Sequence, residues 1–313
     1  MKALTGNGQV PDELEGARID KALAAVVPGL TRHLARKVLA MGGVFVQRGK
    51  DRRRVRRASE PVYAGDVLFA TWHPEVLAPE KFELVVLHED DDVVVIDKPT
   101  GQMSQGSELG DVGSLTHALM RRYGRDVRLM HRLDKGASGV MVAGRNPDAT
   151  AALTPQFRNH TIERRYLAVT LGVPPDGECD VAIVQEGRVV RAALPGEPGM
   201  HAKSLVRVVS TFTTPVGAST SSRALVAVQL YTGRTHQIRI HLQSLGAPII
   251  GDDEHGGPRA ERLCLHAEVL GFVHPRGHAL RFERALPEDF KRAAGLPEAA
   301  TPSVDPLAPS DEA

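Results

Sequence analysis

His131-Arg132-Leu133-Asp134-Lys135-Gly136-Ala137-Ser138-Gly139-Val140 carries a single carboxylate two residues after an arginine. Its small-residue turn opens into an apolar strand expected over 139–143. Residues two apart in an extended segment share a face, so Arg132 and Asp134 can address the same cleft. A nearby cation favours the ionised carboxylate, the form that serves as nucleophile or base. The same spacing suits a surface ion pair at a strand end, and these ten residues alone leave both readings open.

Downstream, Tyr231-Thr232-Gly233-Arg234-Thr235-His236-Gln237-Ile238-Arg239-Ile240-His241-Leu242 enters a helix expected over 235–245, with Gly246 as its cap. Ile238, Leu242 and Leu245 then form an apolar stripe, and Thr235, Arg239 and Gln243 a second one. An arginine turned inward near a helix start needs an acidic partner. His236 and His241 are five apart, which misses the i, i+4 spacing of helix-borne zinc ligands, so no metal site is expected. Between these segments, Arg164-Arg165-Tyr166-Leu167-Ala168-Val169 sets one aromatic in a basic strand. In a chain only 4% aromatic that tyrosine is a candidate stacking platform for a nucleobase, a sheet-packing tyrosine being the other reading.

Further strands are expected at 84–88 and 93–97, an apparent hairpin about Glu89-Asp90-Asp91-Asp92, and at 165–171, 204–210, 223–231 and 279–284. Helices are expected at 114–123 and 147–159. Strands outnumber helices without regular interleaving, which favours an α+β fold with a mixed sheet over a doubly wound one. Ahead of this body, Ile19, Leu23, Val26 and Val27 recur at helical spacing, Pro28-Gly29 stops the helix, and Thr31 caps a second one running to about Met41. Short strands at Val44–Val46 and Asp66–Thr71 complete a small α/β module. The expected organisation is a flexible N-terminus at 1–13, the module at 14–72, a linker at 73–81, the main domain at 82–296 and a flexible acidic tail at 297–313.

The net charge of +1 conceals an asymmetry. Residues 1–75 hold 13 Lys/Arg against 8 Asp/Glu, a balance of +5, whereas 297–313 hold four acids and no base. The segment from Arg48 to Arg57, expected as a loop, has seven cations (Arg48, Lys50, Arg52, Arg53, Arg54, Arg56, Arg57) and one anion. Such a run attracts a polyanion or merely solvates a loop. Cys179 and Cys264 are far apart and suggest neither a disulfide framework nor a thiolate metal site. The opening MKALTGNGQVPDELEG lacks a signal-peptide pattern, and no run approaches the roughly 20 apolar residues of a membrane span, so the expected compartment is the cytoplasm without membrane attachment.

Taken in order, His131-Arg132-Leu133-Asp134 with Ser138-Gly139, then Tyr166, then Gly233-Arg234-Thr235-His236-Gln237-Ile238-Arg239-Ile240-His241, resemble the signature of the RluA-type (large-subunit ribosomal RNA) pseudouridine synthases. Ile96-Asp97-Lys98-Pro99-Thr100-Gly101 upstream, and Gly246-x-Pro248-x-x-Gly251-Asp252 with Leu265-His266-Ala267 downstream, extend the resemblance over about 82–290. The N-terminal module resembles the small alpha-L RNA-binding domain through Arg18-x-Asp20-x-x-Leu23, Thr31-Arg32, Gly43-x-Phe45-Val46 and Gly65-Asp66. Departures from the pattern include Ala137 where a threonine is usual and His255 where a tyrosine is common.

The resemblance implies a mainly antiparallel catalytic sheet with flanking helices, and isomerisation of a flipped-out uridine in structured RNA without cofactor or metal. It implies Asp134 as the catalytic carboxylate and Arg239 as the group that holds it ionised. Tyr166 would stack on the base, and Arg132 would fill the space the base vacates. Arg18, Arg32, Arg36 and the seven cations from Arg48 to Arg57 become the expected RNA-binding set. Large-subunit ribosomal RNA is the expected target, transfer RNA the second, with no obligate protein partner. Two other functions remain in view: an RNA-binding factor with an inactive domain, and a nucleoside-hydrolysing glycosidase, which would need a second carboxylate.

Overall fold

A computed structural model describes residues 4–72, 82–106, 111, 113–187, 189–216 and 219–298 of the 313-residue chain. The linker expected at 73–81 and the tail beyond Glu298 lie outside the described residues. The chain folds as two units, residues 1–83 with 103–125, and residues 84–102 with 126–313.

In the first unit α1 (Ile19–Val26) and α2 (Arg32–Ala40) follow the apolar spacing, with Ile19, Ala22, Leu23, Ala35, Val38 and Leu39 buried. Thr31 caps α2 as expected, its Oγ1 accepting the Leu34 N–H at 3.3 Å. These helices pack with an antiparallel sheet ordered β1 (Leu4–Gln9), β4 (Val67–Trp72), β2 (Val44–Arg48), β3 (Asp51–Val55). A further helix, α3 (Leu115–Tyr123), is capped by Ser114.

Two expectations fail in this unit. Residues 4–9, read as part of a loose end, pair with β4 from Leu4↔Trp72 to Gln9↔Val67. Gly6 and Gly8 explain why the strand was hidden. A Cβ at either would collide with Val27 or with the backbone of Val26, so the inner face of β1 has no side chains to alternate. The basic segment 48–57 is mostly strand, not loop: β2 and β3 form a hairpin with Arg48↔Asp51 across Gly49-Lys50, Gly49 taking a φ of 59°. As an edge strand β3 tolerates a charged sequence, and its Arg52 guanidinium lies over the rings of Phe45 and Phe69.

The second unit is built on a ten-stranded sheet. Its main path runs β10 (Gly177–Cys179), β13 (Ser204–Val216), β14 (Ser219–Leu230), β9 (Glu163–Leu171), β15 (Leu265–Val273), β8 (Ser138–Gly144), β6 (Val93–Lys98), β5 (Val85–Glu89), with β16 (Ala279–Glu283) on β15 and β7 (Arg128–Leu129) on β8. All these pairings are antiparallel except β15 with β8, so the fold is mixed α+β, mainly antiparallel. A small hairpin, β11 (Ile183–Glu186) and β12 (Val189–Ala192), stands apart. Helix α4 (Pro147–Arg158) accommodates Pro155, and α5 (Gln237–Ser244) and α6 (Glu288–Ala294) complete the unit. Strand β15 was not anticipated because His266 and Glu268 interrupt its apolar run; Glu268 is buried against Arg165 at 2.7 Å. No described helix is long and apolar enough to cross a membrane.

Candidate active site

The turn before β8 is held from both ends. Thr100 Oγ1 donates to the Gly136 carbonyl at 2.7 Å and the Gly101 N–H to that of Lys135 at 2.7 Å. The Ala137 N–H closes the turn on the Asp134 carbonyl at 3.1 Å. Arg132 and Asp134 therefore lie in irregular backbone, not in the extended strand first expected. They still flank buried Leu133 and both line one open, shallow cleft. Behind the turn, Ser138 Oγ accepts from Arg262 Nη2 at 2.7 Å and lies 2.8 Å from His266 Nδ1, while His266 Nε2 meets the Arg284 carbonyl at 3.2 Å. Burial holds the His266 pKa down at about 4. A neutral ring that accepts from Ser138 and donates to Arg284 satisfies the whole chain of bonds.

Tyr166 reaches the cleft from β9, paired with Val228 on one side and Ala267 on the other. Burial raises its phenol pKa, and the charge of Asp134 adds to that rise. Arg234, His236 and Gln237 close another wall. Gln237 fixes that wall: its Oε1 accepts from Thr232 Oγ1 at 2.7 Å and the Arg234 N–H at 2.9 Å, and its Nε2 donates to Lys203 O and Ser204 Oγ, each at 3.0 Å. His236 sits left-handed at φ 56° and ψ 19°, so α5 begins only at Gln237 and Thr235 falls outside the helical stripe expected for it. His241 turns away to the Val181 carbonyl at 3.1 Å and shares nothing with His236.

Arg239 points inward, and its main acidic partner is Asp252, not Asp134. Nε and Nη2 donate to the two Asp252 oxygens at 2.8 and 2.6 Å, and Nη2 also reaches Glu254 at 2.8 Å. The Arg239 Nη1 to Asp134 Oδ2 distance is 3.4 Å. Burial alone would lower the Arg239 pKa, but Asp252 and then Asp134 outweigh it and raise it. Arg239 therefore stays cationic and presents its remaining edge to Asp134. Lys98 is fully buried, donating to the Pro99 and Gln102 carbonyls at 3.0 and 2.7 Å. Burial lowers its pKa to about 7, against the pull of Asp134's charge. Asp252, Glu254, Gln237 and Lys98 had no site role in the sequence reading. The Lys98-Pro99, His236-Gln237 and Gly251-Asp252 matches flagged three of them, but without a role.

In the first unit, Arg18, Arg32 and Arg36 converge on Asp20 at 3.1, 3.1 and 2.7 Å. Asp20 is wholly buried while each guanidinium is about half exposed, so three cations share one anion and face solvent. The other expected RNA contacts are more committed. Arg48 makes a two-pronged pair with Asp66, Arg53 pairs with Glu60, and Arg54 and Arg56 with buried Asp111. Lys50, Arg52 and Arg57 remain exposed.

Residues 92–244 match the family model described as RNA pseudouridylate synthase. An uncharacterised RNA pseudouridine synthase of Chloroflexus aurantiacus is 35% identical over 90% of this chain and 90% of its own length. The ribosomal large subunit pseudouridine synthase D of Xanthomonas campestris is 33% identical over 90% of this chain and 89% of its own. Among solved structures, human RNA pseudouridylate synthase domain containing 4 aligns with a TM-score of 0.53 at 25% identity, covering 67% of this chain and 92% of that one.

Proposed function

The chain belongs to the RluA-type RNA pseudouridine synthases, isomerases that act on RNA, and from that premise we propose that it converts specific uridines of large-subunit ribosomal RNA, with Asp134 as the catalytic carboxylate. The observation that carries this reading is the cleft itself. It gathers one carboxylate, a buried tyrosine and a guanidinium held by a second acid around one open cleft.

Asp134 Oδ2, 3.4 Å from the Arg239 guanidinium, assists cleavage of the bond between ribose C1′ and uracil N1. The freed uracil turns against Tyr166, C5 joins C1′, and the C5 proton is lost as N1 regains one. Every atom is conserved, so no hydrolytic water has to be activated. Holding the detached base is the main task, and positioning contributes roughly 7–11 kcal/mol to such steps. Arg132, exposed at the cleft rim, fills the gap left in the RNA stack and offsets part of the few kcal/mol that flipping costs. The Arg18-Arg32-Arg36 cluster, with Lys50, Arg52 and Arg57, contacts backbone phosphates. Transfer RNA is the second candidate target, and the cytoplasm the proposed compartment.

Mapping pseudouridines by carbodiimide modification and primer extension, in cells with and without the gene, tests this. Large-subunit sites that vanish, and return with the intact protein but not with Asp134→Asn, are the expected result. Loss confined to transfer RNA moves the target. Loss of no site in either RNA overturns the reading in favour of a binding-only protein, and restoration by Asp134→Asn removes Asp134 as the catalytic carboxylate.

A further inference from the structure

At the cleft wall, His236 Nδ1 and His255 Nε2 are 3.0 Å apart, and Glu254 Oε2 is 3.8 Å from His236 Nδ1. All three ligand atoms lie within 4.8 Å of one another. Two imidazole nitrogens bound to one tetrahedral zinc, at roughly 2.0–2.1 Å each, stand about 3.3 Å apart. The set therefore needs only a small adjustment to hold such an ion.

The ligands are also pre-placed. His255 is buried on a short 3-10 turn, its N–H on Asp252 Oδ1 at 3.2 Å, and His236 is fixed left-handed before α5. Glu254, with its side chain 55% exposed, leaves an open side for entry and for a fourth ligand from water. Asp134, Asp252 and Glu254 outnumber the one guanidinium of Arg239 that they share, while Arg132 and Arg234 stand on the same cleft.

We propose that His236, Glu254 and His255 form a binding site for a divalent cation of the zinc class, and that filling it closes the cleft around Asp134. The site is inhibitory; the isomerisation has no use for the ion. Binding requires the hydrogen now shared between the two rings to leave the facing nitrogens. Each ring then carries its own single hydrogen on the far nitrogen, His236 on Nε2 and His255 on Nδ1, one of the two having changed tautomer with no net proton released. His236 Nε2 is 4.0 Å from Asp134 Oδ1, so the ion fixes a donor against the carboxylate and draws Glu254 from Arg239.

Calorimetric titration of the chelator-stripped full chain with Zn²⁺ tests the site, with Co²⁺ absorption reporting four-coordinate nitrogen and oxygen ligation. One equivalent is expected to bind, with affinity reduced at least about tenfold in Glu254→Gln and further in His255→Phe, as for loss of a ligand or its support. Glu254 is exposed enough that its variant folds even if His255→Phe does not, which melting curves check. Absence of binding, affinity in both variants equal to that of the wild type, or a site abolished instead by His274→Ala in the separate Asp90-Asp92-His274 cluster overturns the proposal. These binding results stand whether or not uridine proves to be the substrate. In the turnover assay, Zn²⁺ suppresses pseudouridine formation and a chelator restores it. Full activity with the site occupied overturns the closure.

Discussion

Two carboxylates within 3.4 Å of the Arg239 guanidinium are held in different ways, and single substitutions separate them. Asp134 has a side chain 19% exposed and one long bond to Arg239, so little of the fold depends on it. Asp134→Asn is expected to change stability by less than about 0.5 kcal/mol while abolishing pseudouridine formation. Asp252 is wholly buried and takes both prongs of Arg239. Removing one member of a buried pair costs about 3–5 kcal/mol, so Asp252→Asn should lower the Tm by roughly 10 °C as well as reducing kcat. Equal melting of the two variants would show that Asp252 does not anchor Arg239. That Asp134 shares a cleft with Arg132 was legible in the sequence, because the two stand two residues apart in one run. Asp252 was not, because its importance arises from meeting a residue 13 positions away across a turn.

Among the elements, the parallel contact of β8 with β15 sets the floor of the site, and Gly139 makes it possible. Gly139 has a φ of 118° and pairs with Ala267, whose carbonyl oxygen would occupy the space of any Cβ. Gly139→Ala is expected to cost at least about 1–3 kcal/mol and to displace the turn carrying Asp134, read as a lower Tm with lost turnover. Next to it, His266 makes this pairing sensitive to acid. The unfolded chain takes a proton at a pKa of 6.5, whereas the folded ring refuses one until about 4. The unfolded state therefore binds more protons in that window, and stability falls as pH drops through it. The 2.5-unit gap corresponds to about 3 kcal/mol. Denaturant midpoints measured from pH 7 to 4 should fall in the wild type and flatten in His266→Gln; parallel curves would remove His266 as the cause.

For the whole molecule, the N-terminal excess of +5 overstates the charge free for RNA, since Arg48, Arg53, Arg54 and Arg56 are each paired. Lys50 and Arg57 are exposed and make no ion pair among the described residues. Replacing both by alanine should reduce the slope of log affinity against log salt by about 2, at little cost in stability. Arg36→Ala should also flatten the slope, but it strips a 2.7 Å partner from buried Asp20 and lowers the Tm as well. An unchanged slope in the double variant would take the β2–β3 hairpin out of the RNA contact.

The sequence by itself determined the mixed α+β class, most of the strands and helices, the Thr31 cap and the run that brings Arg132 and Asp134 to one cleft. Each of these follows from periodicity or spacing over a few residues, which local physics can read. Tertiary structure alone decided that glycine-faced β1 and charged β3 are strands, because their partners β4 and β2 supply the pairing their own patterns do not show. It alone decided that Arg239 is held by Asp252, that Lys98 is buried near neutrality, and that His236 faces His255 rather than His241. Those relations depend on backbone turns and long-range approach, and a one-dimensional pattern contains neither.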